Sequence, residues 1–495
     1  MNLFRTKPVE REAEGSGLRR ELSAFDLTML GIGAIIGAGI FVLTGVSAAT
    51  QSGPAIVLSF IVAGTGCACA ALAYAELAAS IGGCGSAYGY GYAGFGEFPG
   101  WIIGWMLIAE YVISVSAVSV GWSGYFNTAL QSMGFGLPDS LLHGPFDATP
   151  GLVNLPAAGL VVLLTFLLAT GAKMSARANT VMVIIKLVAV ALFIGVAMFH
   201  VDTSNWHPFI PPQEAVAGSP AGFDWGMKLV DAIRLWLGFD VGGATRFGVP
   251  GIFGGGAIIF FAYLGFDAVS TSAEETRNPQ RDLPIGIIGS LVICTTLYII
   301  VSGLLTGIVN YRELNVPSPV AYALLRIHQN WAAGVISLGA IAGLTTVCLV
   351  MYYGATRLIY AISRDGLLPR GLATLSETSR SPVRIIVISG AVMAFLSGFV
   401  SLNNLASITN FATLAAFVVV CAGVVLMRKR QPDLVRPFKT PGFPIVPWIG
   451  VLICGYLMLN LSVLTWAWFG GWMVVGLVIY FGYSHTHSVL AGRAP

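Results

Sequence analysis

The chain has 495 residues, of which 56% are hydrophobic and only 10% are charged. A soluble chain of this length carries about 25% charged residues because its surface must be hydrated, so a soluble globular enzyme is excluded. The formal net charge of +3 is too small to indicate a nucleic-acid partner. The seven cysteines show neither a disulfide framework nor a paired metal-binding spacing, and we predict no metal site and no cofactor.

Residues 1–26 are hydrophilic and form a predicted amino-terminal segment. Beyond it, twelve apolar runs are long enough to cross about 30 Å of hydrocarbon. Because backbone groups in lipid must hydrogen-bond within their own segment, each run is predicted to be a helix of an all-α integral membrane protein. The runs are Leu27–Ala48, Pro54–Ser80, Pro99–Tyr125, Leu155–Ala172, Asn179–Phe199, Gly251–Ser272, Pro284–Val309, Gly334–Tyr360, Arg384–Leu402, Leu405–Met427, Val446–Trp466 and Trp468–Tyr483.

The positive charges are distributed unevenly between the two sides of these runs. If each run crosses the membrane, twenty of the 26 Lys and Arg residues lie on the same side as the two termini. Five lie in the loops on the opposite side, and Lys186 lies within a run. Cytoplasmic loops carry the excess of Lys and Arg, so both termini are predicted to be cytoplasmic, as are residues 428–445 and the tail 484–495. In the long outer loop, a helical stretch over Trp225–Leu237 is expected at the membrane interface.

The first apolar run contains four glycines in nine residues, from Gly31 to Gly39. Each glycine weakens a helix interior by about 1 kcal/mol relative to alanine. One interpretation is close helix packing, since Gly33 and Gly37 have the G-x-x-x-G spacing. The other is a local unwinding whose freed backbone groups line a cavity, which lipid tolerates only where something polar satisfies them.

The sixth apolar run is interrupted in a similar way. Its stretch Phe260–Asp267 contains a glycine, Gly265, and then a carboxylate. The first and sixth runs begin the first and second sets of five. This placement indicates an inverted repeat with the binding site between two broken helices.

Five stretches carry a resemblance to a known family. They are Gly33–Phe41, Tyr74–Leu77, Gly265–Asp267 together with Glu274–Gln280, Arg357–Pro369 and Arg436–Gly442. In these stretches the chain resembles the amino acid–polyamine–organocation superfamily, and specifically a bacterial member of the cationic amino-acid transporter family. The resemblance covers nearly the whole chain, although the animal members have fourteen spans rather than twelve.

The resemblance implies the leucine-transporter fold. Residues 27–427 would form two inverted repeats of five helices, and residues 446–483 two further helices. The substrate carboxylate would meet the N–H groups at a helix amino terminus, which favours an anion. The residues implied for the carboxylate are Gly37, Ala38 and Gly39, and those implied for the ammonium through their carbonyls are Ile35, Phe261, Ala262 and Leu264. The Phe261 ring would cover the bound ligand as an outer gate.

Charged residues at membrane depth are costly and are therefore functional candidates. In similar sodium-independent relatives a lysine on the fifth span replaces a sodium ion and contacts the first span, which implies that role for Lys186; the alternative is a lysine that snorkels to an interface. Glu110 is a second proton-coupling candidate, or else a buried protonated carboxyl with a structural role. Asp267 is either a hinge or a proton-carrying residue. Glu76 is interpreted as structural.

The sequence therefore predicts a secondary active transporter of the cell membrane and not an enzyme. Its expected partners are an L-amino acid, a proton and membrane lipid; the oligomeric state is open. We expect proton-coupled, sodium-independent uptake of small neutral amino acids such as alanine, because the bulky Met351 would fill the far end of the pocket. A cationic substrate (arginine, lysine or ornithine) and amino-acid exchange stay open as alternatives. The inner segment with Glu274, Glu275, Arg277 and Arg281 is interpreted as either a gate or a solvated face.

Overall fold

The structure is a computed structural model that describes residues 5–6, 22–81, 86–147, 149–171, 176–216, 222–239, 244–267, 269–270, 276–377 and 381–491. Its α-helices are α1 (Ala24–Ile35), α2 (Thr44–Ser47), α3 (Ile56–Ile81), α4 (Ser86–Gly94), α5 (Glu97–Ser132), α6 (Leu155–Ala169), α7 (Ala176–Ala197), α8 (Leu229–Trp236), α9 (Gly248–Ile259), α10 (Pro279–Ile308), α11 (Pro319–Arg326), α12 (Asn330–Arg364), α13 (Val383–Phe399), α14 (Leu402–Arg430), α15 (Ile445–Leu459), α16 (Val463–Ile479) and α17 (His485–His487).

Short helical turns of other types connect them. The π-helical turns are Gly39–Leu43, Ala48–Ser52 and Tyr480–Ser484, and the 3₁₀ turns are Gly53–Ala55, Asp139–Leu141, Thr203–Trp206, Phe260–Tyr263, Tyr311–Glu313 and Arg370–Ala373. Within the described ranges, the strands are the antiparallel pair β1 (Glu214–Ala215) and β2 (Thr245–Arg246). The described part of the chain is therefore all-helical apart from this small pair.

The apolar helices fall into two groups by length. By length and composition, seven helical segments of the described chain could cross a membrane. Five further apolar helices are shorter, with 10–17 residues; they are α1, α6, α9 with its 3₁₀ extension, α13 and α15. This set of helices is typical of a multi-pass membrane protein.

Polar side chains fix where several of these helices begin. At α1, the Ser23 hydroxyl accepts from the Asp26 N–H (3.3 Å) while the Asp26 carboxylate accepts from the Ser23 N–H (2.9 Å). The side chains of Asn154, Ser401 and Ser462 accept backbone N–H groups at the start of α6, α14 and α16. Each such cap contributes about 1 kcal/mol to helix stability.

Small residues let the central helices approach closely. α5 packs against α12 and α14, and α10 packs against α1 and α3. A Cβ added at Gly286 of α10 would lie only 2.6 Å from Leu27 Cβ of α1. Close backbone approach through small residues is the usual packing of helices in lipid, and here it holds α10 against the first apolar run.

The connection between α7 and α9 contains the predicted helical stretch, but the helix is shorter than predicted. α8 covers Leu229–Trp236, whereas the prediction began at Trp225. The difference arises because the Asp224 carboxylate accepts the Gly226 N–H (3.2 Å) and forms a turn instead. α8 is joined to the start of α16, where the Leu229 N–H donates to Leu461 O (3.0 Å). Trp236 is 84% exposed, in keeping with the expected position at the membrane interface.

The strand pair β1–β2 is linked to the α10–α11 connection by ion pairs. Glu214 of β1 accepts hydrogen bonds from the guanidinium groups of Arg246 and Arg312. The hydrogen bond from Arg312 is the main cause that lowers the pKa of Glu214. These contacts are solvent-exposed, so they orient the loop more than they stabilise it.

Glu76 joins α3, α14 and the segment that follows α14. The carboxylate, at the end of α3, is buried and accepts two hydrogen bonds from Arg428 of α14, at 2.8 Å from Nε and 2.7 Å from Nη2. It also accepts the backbone N–H of Thr440 at 2.7 Å. A bidentate arginine–carboxylate pair is geometrically specific, and the structural interpretation of Glu76 agrees with these contacts.

Arg428→Ala is expected to lower the stability of the whole protein. Without Arg428 the buried Glu76 carboxylate loses its two short hydrogen bonds and keeps the Thr440 N–H and Arg436, whose Nε lies 3.6 Å from Oε1. We therefore expect a cost of about 1–3 kcal/mol, the range for a buried hydrogen-bonding group that loses a partner. We expect a clear drop in the melting temperature of the purified protein in detergent. Lys429→Ala removes the same charge from the neighbouring exposed position and should melt like the wild type. Equal melting of both variants would contradict the importance of the pair.

Candidate functional site

The first apolar run is broken at its middle. α1 ends at Ile35, Ile36 has an extended backbone with ψ 97°, and helical structure resumes as the π-helical turn Gly39–Leu43. Unwinding is therefore present, as one of the two interpretations requires. The packing interpretation also has support, because a Cβ at Gly33 would lie 2.9 Å from Val183 Cγ2 of α7.

The sixth apolar run is also broken near its middle. α9 gives way to the 3₁₀ turn Phe260–Tyr263, and Leu264 is extended with ψ 141°. Gly265 follows with φ +108°, a left-handed conformation that favours glycine. A Cβ there would lie 2.7 Å from Ala34 Cβ and 2.9 Å from Met351 Cε. Glycine is therefore required both by the backbone and by the space.

The two breaks lie against each other. A Cβ at Gly39 would overlap the Cα and Cβ atoms of Ala262. The Tyr298 hydroxyl of α10 contacts both breaks: it lies 2.8 Å from Ile35 O and 2.8 Å from Ala262 O. A hydroxyl has one proton to donate, so it serves the two carbonyls in turn and links the two broken helices.

A small cavity lies between the breaks. Its lining residues are Ala34, Ile35, Gly37, Ala38, Gly39, Ser114, Val118, Phe261, Leu264, Val347 and Met351. Seven of the eight residues predicted to bind substrate are in this set. The eighth, Ala262, packs against Gly39 instead. None of the described residues that line the cavity has a charged side chain, and the hydroxyl of Ser114 is the polar exception among largely apolar walls.

The carbonyls predicted to bind the substrate ammonium differ in the hydrogen bonds that they already accept. Those of Ile35 and Ala262 accept from the Tyr298 hydroxyl, and that of Phe261 accepts from the Leu264 N–H at 3.2 Å. A carbonyl oxygen has two lone pairs, so the bond to Tyr298 leaves each of the first two one further acceptor position.

Lys186 of α7 is fully buried beside the first break. Its Nζ donates to Gly33 O at 2.6 Å and to Ile36 O at 3.2 Å. Gly343 of α12 makes room for the side chain, because a Cβ there would lie 3.1 Å from Lys186 Cγ. The ammonium is held inside the protein, and the alternative of a lysine that snorkels to an interface does not agree with this burial.

The two candidate carboxyls lie close together and are both buried. The Tyr111 hydroxyl donates to Asp267 Oδ2 at 2.8 Å, and Tyr111 follows Glu110 in α5. The Glu110 and Asp267 charges interact with each other, and Thr413 of α14 is a polar neighbour of Glu110. Neither oxygen of Glu110 has a hydrogen-bond partner within the described ranges. The pair is therefore placed so that the proton content of one group affects the other.

The sequence analysis missed Tyr298, which bridges the breaks, and several residues of the cavity lining. Ser114 and Val118 follow Glu110 by four and eight residues in α5, so the helical period could have placed them on the face of that carboxyl. Tyr298 is a hydroxyl in an apolar run, which in lipid must find a partner. For Val347 of α12 we find no signal in the sequence.

This arrangement can bind a small molecule through the backbone of two broken helices and move charge through buried groups. In the described part of the chain no cluster of three His, Cys, Asp or Glu residues could hold a metal ion. Broken helices around a central site are the architecture of secondary transporters. The class of protein that the fold and the site define is therefore a membrane transporter.

Comparison with known proteins makes the assignment narrower. The sequence profile of a family described as "Amino acid permease" matches residues 22–482. The chain is 45% identical to the "Branched-chain amino acid permease BcaP" of Bacillus subtilis (strain 168), over 99% of each chain. It is 43% identical to the "Methylthioribose transporter" of the same strain, again over 99% of each chain. It is 37% identical to the "Cationic amino acid transporter 2, vacuolar" of Arabidopsis thaliana, over 87% of this chain and 64% of that protein.

The chain belongs to the amino acid permease family. Its relatives are permeases and transporters, so it is a transporter rather than an enzyme, and it is a multi-pass protein of the cell membrane. The predicted resemblance to the amino acid–polyamine–organocation superfamily and to the cationic amino-acid transporters is confirmed.

Proposed function

We propose that the chain takes up neutral L-amino acids, from alanine to the branched-chain side chains, by proton-coupled and sodium-independent transport. The observation that carries the substrate class is the cavity between the breaks, whose described lining has no charged side chain. An arginine or lysine side chain would need a carboxylate or several acceptors there. The name of the BcaP relative supports a branched-chain substrate, and the cationic relatives are less similar.

The α-amino and α-carboxyl groups would be recognised by backbone. The N–H groups around Gly37 and Gly39 lie where a helix restarts and so favour the carboxylate. Phe261 and Leu264 belong to the lining of the same cavity, and their carbonyls would accept from the ammonium. The apolar lining then meets the side chain, which accounts for selection by size more than by polarity.

The proposed coupling rests on the position of Lys186. Unwound backbone carbonyls and the carboxyl ends of half-helices bind Na⁺ in transporters of this architecture. At the end of α1, the ammonium of Lys186 takes Gly33 O and Ile36 O for itself. We therefore assign the role of a coupling cation to a proton carried by this lysine, and not to sodium.

We also propose the membrane arrangement of twelve spans in a leucine-transporter fold. The seven long and five shorter apolar helices support the count. The position of the two breaks, at the start of each set of five, supports the inverted repeat. The excess of Lys and Arg in the terminal segments and the loops on their side supports cytoplasmic termini.

Uptake into proteoliposomes tests the proposed function. Labelled alanine and leucine should accumulate when the outside is acidic relative to the inside, and replacing Na⁺ by choline should have no effect. Excess unlabelled leucine should compete, whereas arginine and methylthioribose should not. Accumulation that needs Na⁺, or that is competed only by arginine or methylthioribose, would contradict the proposal. Uptake that occurs only into vesicles preloaded with amino acid would favour exchange.

Met351→Ser is expected to widen the substrate range toward arginine. Met351 is buried and lines the cavity, and serine would leave space and a hydroxyl at its far end. The measurement is labelled arginine uptake relative to alanine uptake. Met106→Ser, at another buried methionine outside the cavity lining, controls for the cost of burying a serine. If arginine uptake is the same in both variants, Met351 is not at the far end of the pocket.

Glu110→Gln is expected to alter the dependence of alanine uptake on external pH. The variant keeps the shape of the side chain but removes its proton and its interaction with Asp267. Asp267→Asn should act on the same profile, because the two groups form one electrostatic unit. If Glu110→Gln shows normal uptake with an unchanged pH profile, Glu110 does not take part in proton coupling, and its role is structural.

A further inference from the structure

A second cavity opens away from the substrate cavity, at the surface of the helical bundle. It lies between the start of α10 and the segment that connects α14 and α15, and we call it the α10 groove. It is larger than the substrate cavity and more open to its surroundings. Arg281, Ile285, Ile288 and Gly289 form one wall, and Pro437 and Phe438 form the other.

The floor of the α10 groove continues onto the outer surface of α10. Arg281, Ile285, Ile288 and Val292 recur at intervals of three and four residues and therefore lie on one face of the helix. Ile285 is 44% exposed and Val292 is 58% exposed. Exposed aliphatic side chains in a row on a helix of a membrane protein face the acyl chains of lipids, so the groove opens directly to the lipid.

The polar end of the groove is cationic. Arg281 is exposed, and its guanidinium has no ion pair or hydrogen-bond partner among the described residues. Lys439 follows Phe438 and is exposed as well. The neighbouring Asp282 is largely buried and its carboxylate accepts the Asn278 N–H (3.3 Å), while Glu274 and Glu275 of the preceding inner segment lie outside the described residues. A free cation thus stands at the mouth of an apolar groove.

We propose that the α10 groove binds an anionic phospholipid of the cytoplasmic leaflet. One acyl chain lies along Ile285, Ile288 and Gly289, and the phosphate is held by Arg281, whose planar guanidinium suits phosphate geometry. Basic pockets on the cytoplasmic side of transmembrane helices bind anionic head groups in this way. The choice of leaflet rests on the proposed orientation, in which this end of α10 is cytoplasmic.

The position of the groove gives the lipid a route to the transport site. α10 packs on α1 through Gly286 and Leu27, and its Tyr298 bridges the two breaks. A lipid seated on α10 therefore binds the helix that holds the broken helices together.

Lipid binding to the purified full-length protein tests the proposal. The protein is delipidated in detergent and titrated with phosphatidylglycerol, phosphatidylcholine or inorganic phosphate, and bound species are counted by native mass spectrometry. Phosphatidylglycerol should bind about fivefold more tightly than phosphatidylcholine, the effect of one basic residue on an anionic head group. Inorganic phosphate, which has no acyl chain, should not bind measurably.

Two variants separate the charged and the apolar parts of the site. Arg281→Gln should remove the preference for phosphatidylglycerol, whereas Arg430→Gln, at an exposed arginine outside the groove, should keep it. Gly289→Ala should weaken both lipids by narrowing the groove, and the added Cβ fits because its nearest atom is Thr28 Oγ1 at 3.5 Å.

Three results would overturn the proposal. They are equal affinity for the two lipids, equal behaviour of Arg281→Gln and Arg430→Gln, and a groove that is occupied by a second protein, which would appear as a heavier complex. Because the readout is lipid binding and not uptake, failure here is distinguishable from failure of the proposed transport function.

Discussion

Lys186→Ala is expected to abolish amino-acid uptake driven by a pH gradient. The ammonium of Lys186 donates to Gly33 O and Ile36 O at the first break. Its removal takes away the proposed proton carrier and leaves two buried carbonyls unpaired, each at a cost of about 1–3 kcal/mol. The measurement is alanine accumulation in proteoliposomes as a function of the pH gradient, with the melting temperature recorded to show that the variant is folded.

Two control variants show what kind of role the lysine has. Lys429→Ala removes a lysine from an exposed position and should transport like the wild type. Lys186→Arg keeps a positive charge but cannot release a proton in a protein, so it should lose coupling even if it preserves the break. Retained pH dependence in Lys186→Ala would contradict the coupling role and would leave Glu110 and Asp267 as the candidates.

Much of the helical framework could be predicted because lipid imposes a simple rule. Backbone groups must bond within their own segment, so a long apolar run gives a helix whatever its neighbours are. The two breaks could also be located, because glycine weakens a helix wherever it occurs. The first break falls within the glycine-rich stretch that ends at Gly39, and the second begins at Phe260 and passes through Gly265.

The contacts that assemble the site could not be predicted in this way. Tyr298 meets Ala262, 36 positions earlier, and Ile35, 263 positions earlier, and such pairs are set by tertiary packing and not by local pattern. α4 lies outside the twelve predicted runs for a related reason: it contains Gly89, Gly91 and Gly94, and glycine has low helix propensity. It is helical because it packs against α5, where a Cβ at Gly91 would lie 3.2 Å from Gly100 Cα.

Gly39→Ala is expected to abolish uptake of every substrate and to lower the melting temperature. A Cβ at position 39 would overlap the Cα and Cβ of Ala262 and lie 2.9 Å from its N atom. These are backbone atoms and a short side chain, which cannot rotate away, so the two broken helices would have to separate. Since the cavity lies between those helices, its shape and its backbone donors would change together.

Two other glycines give a graded comparison for this variant. Gly37→Ala should reduce uptake only in part, because the nearest atom is Val347 Cγ2 at 3.1 Å, a side-chain methyl that can shift. Gly159→Ala, with no atom within 4 Å, should transport normally and gain up to about 1 kcal/mol of helix stability. If Gly39→Ala transports as well as Gly159→Ala, the contact between the two breaks is not required during transport. If uptake instead decreases in the order Gly159→Ala, Gly37→Ala, Gly39→Ala, the contact between the two breaks is the part of the site where added volume is tolerated least.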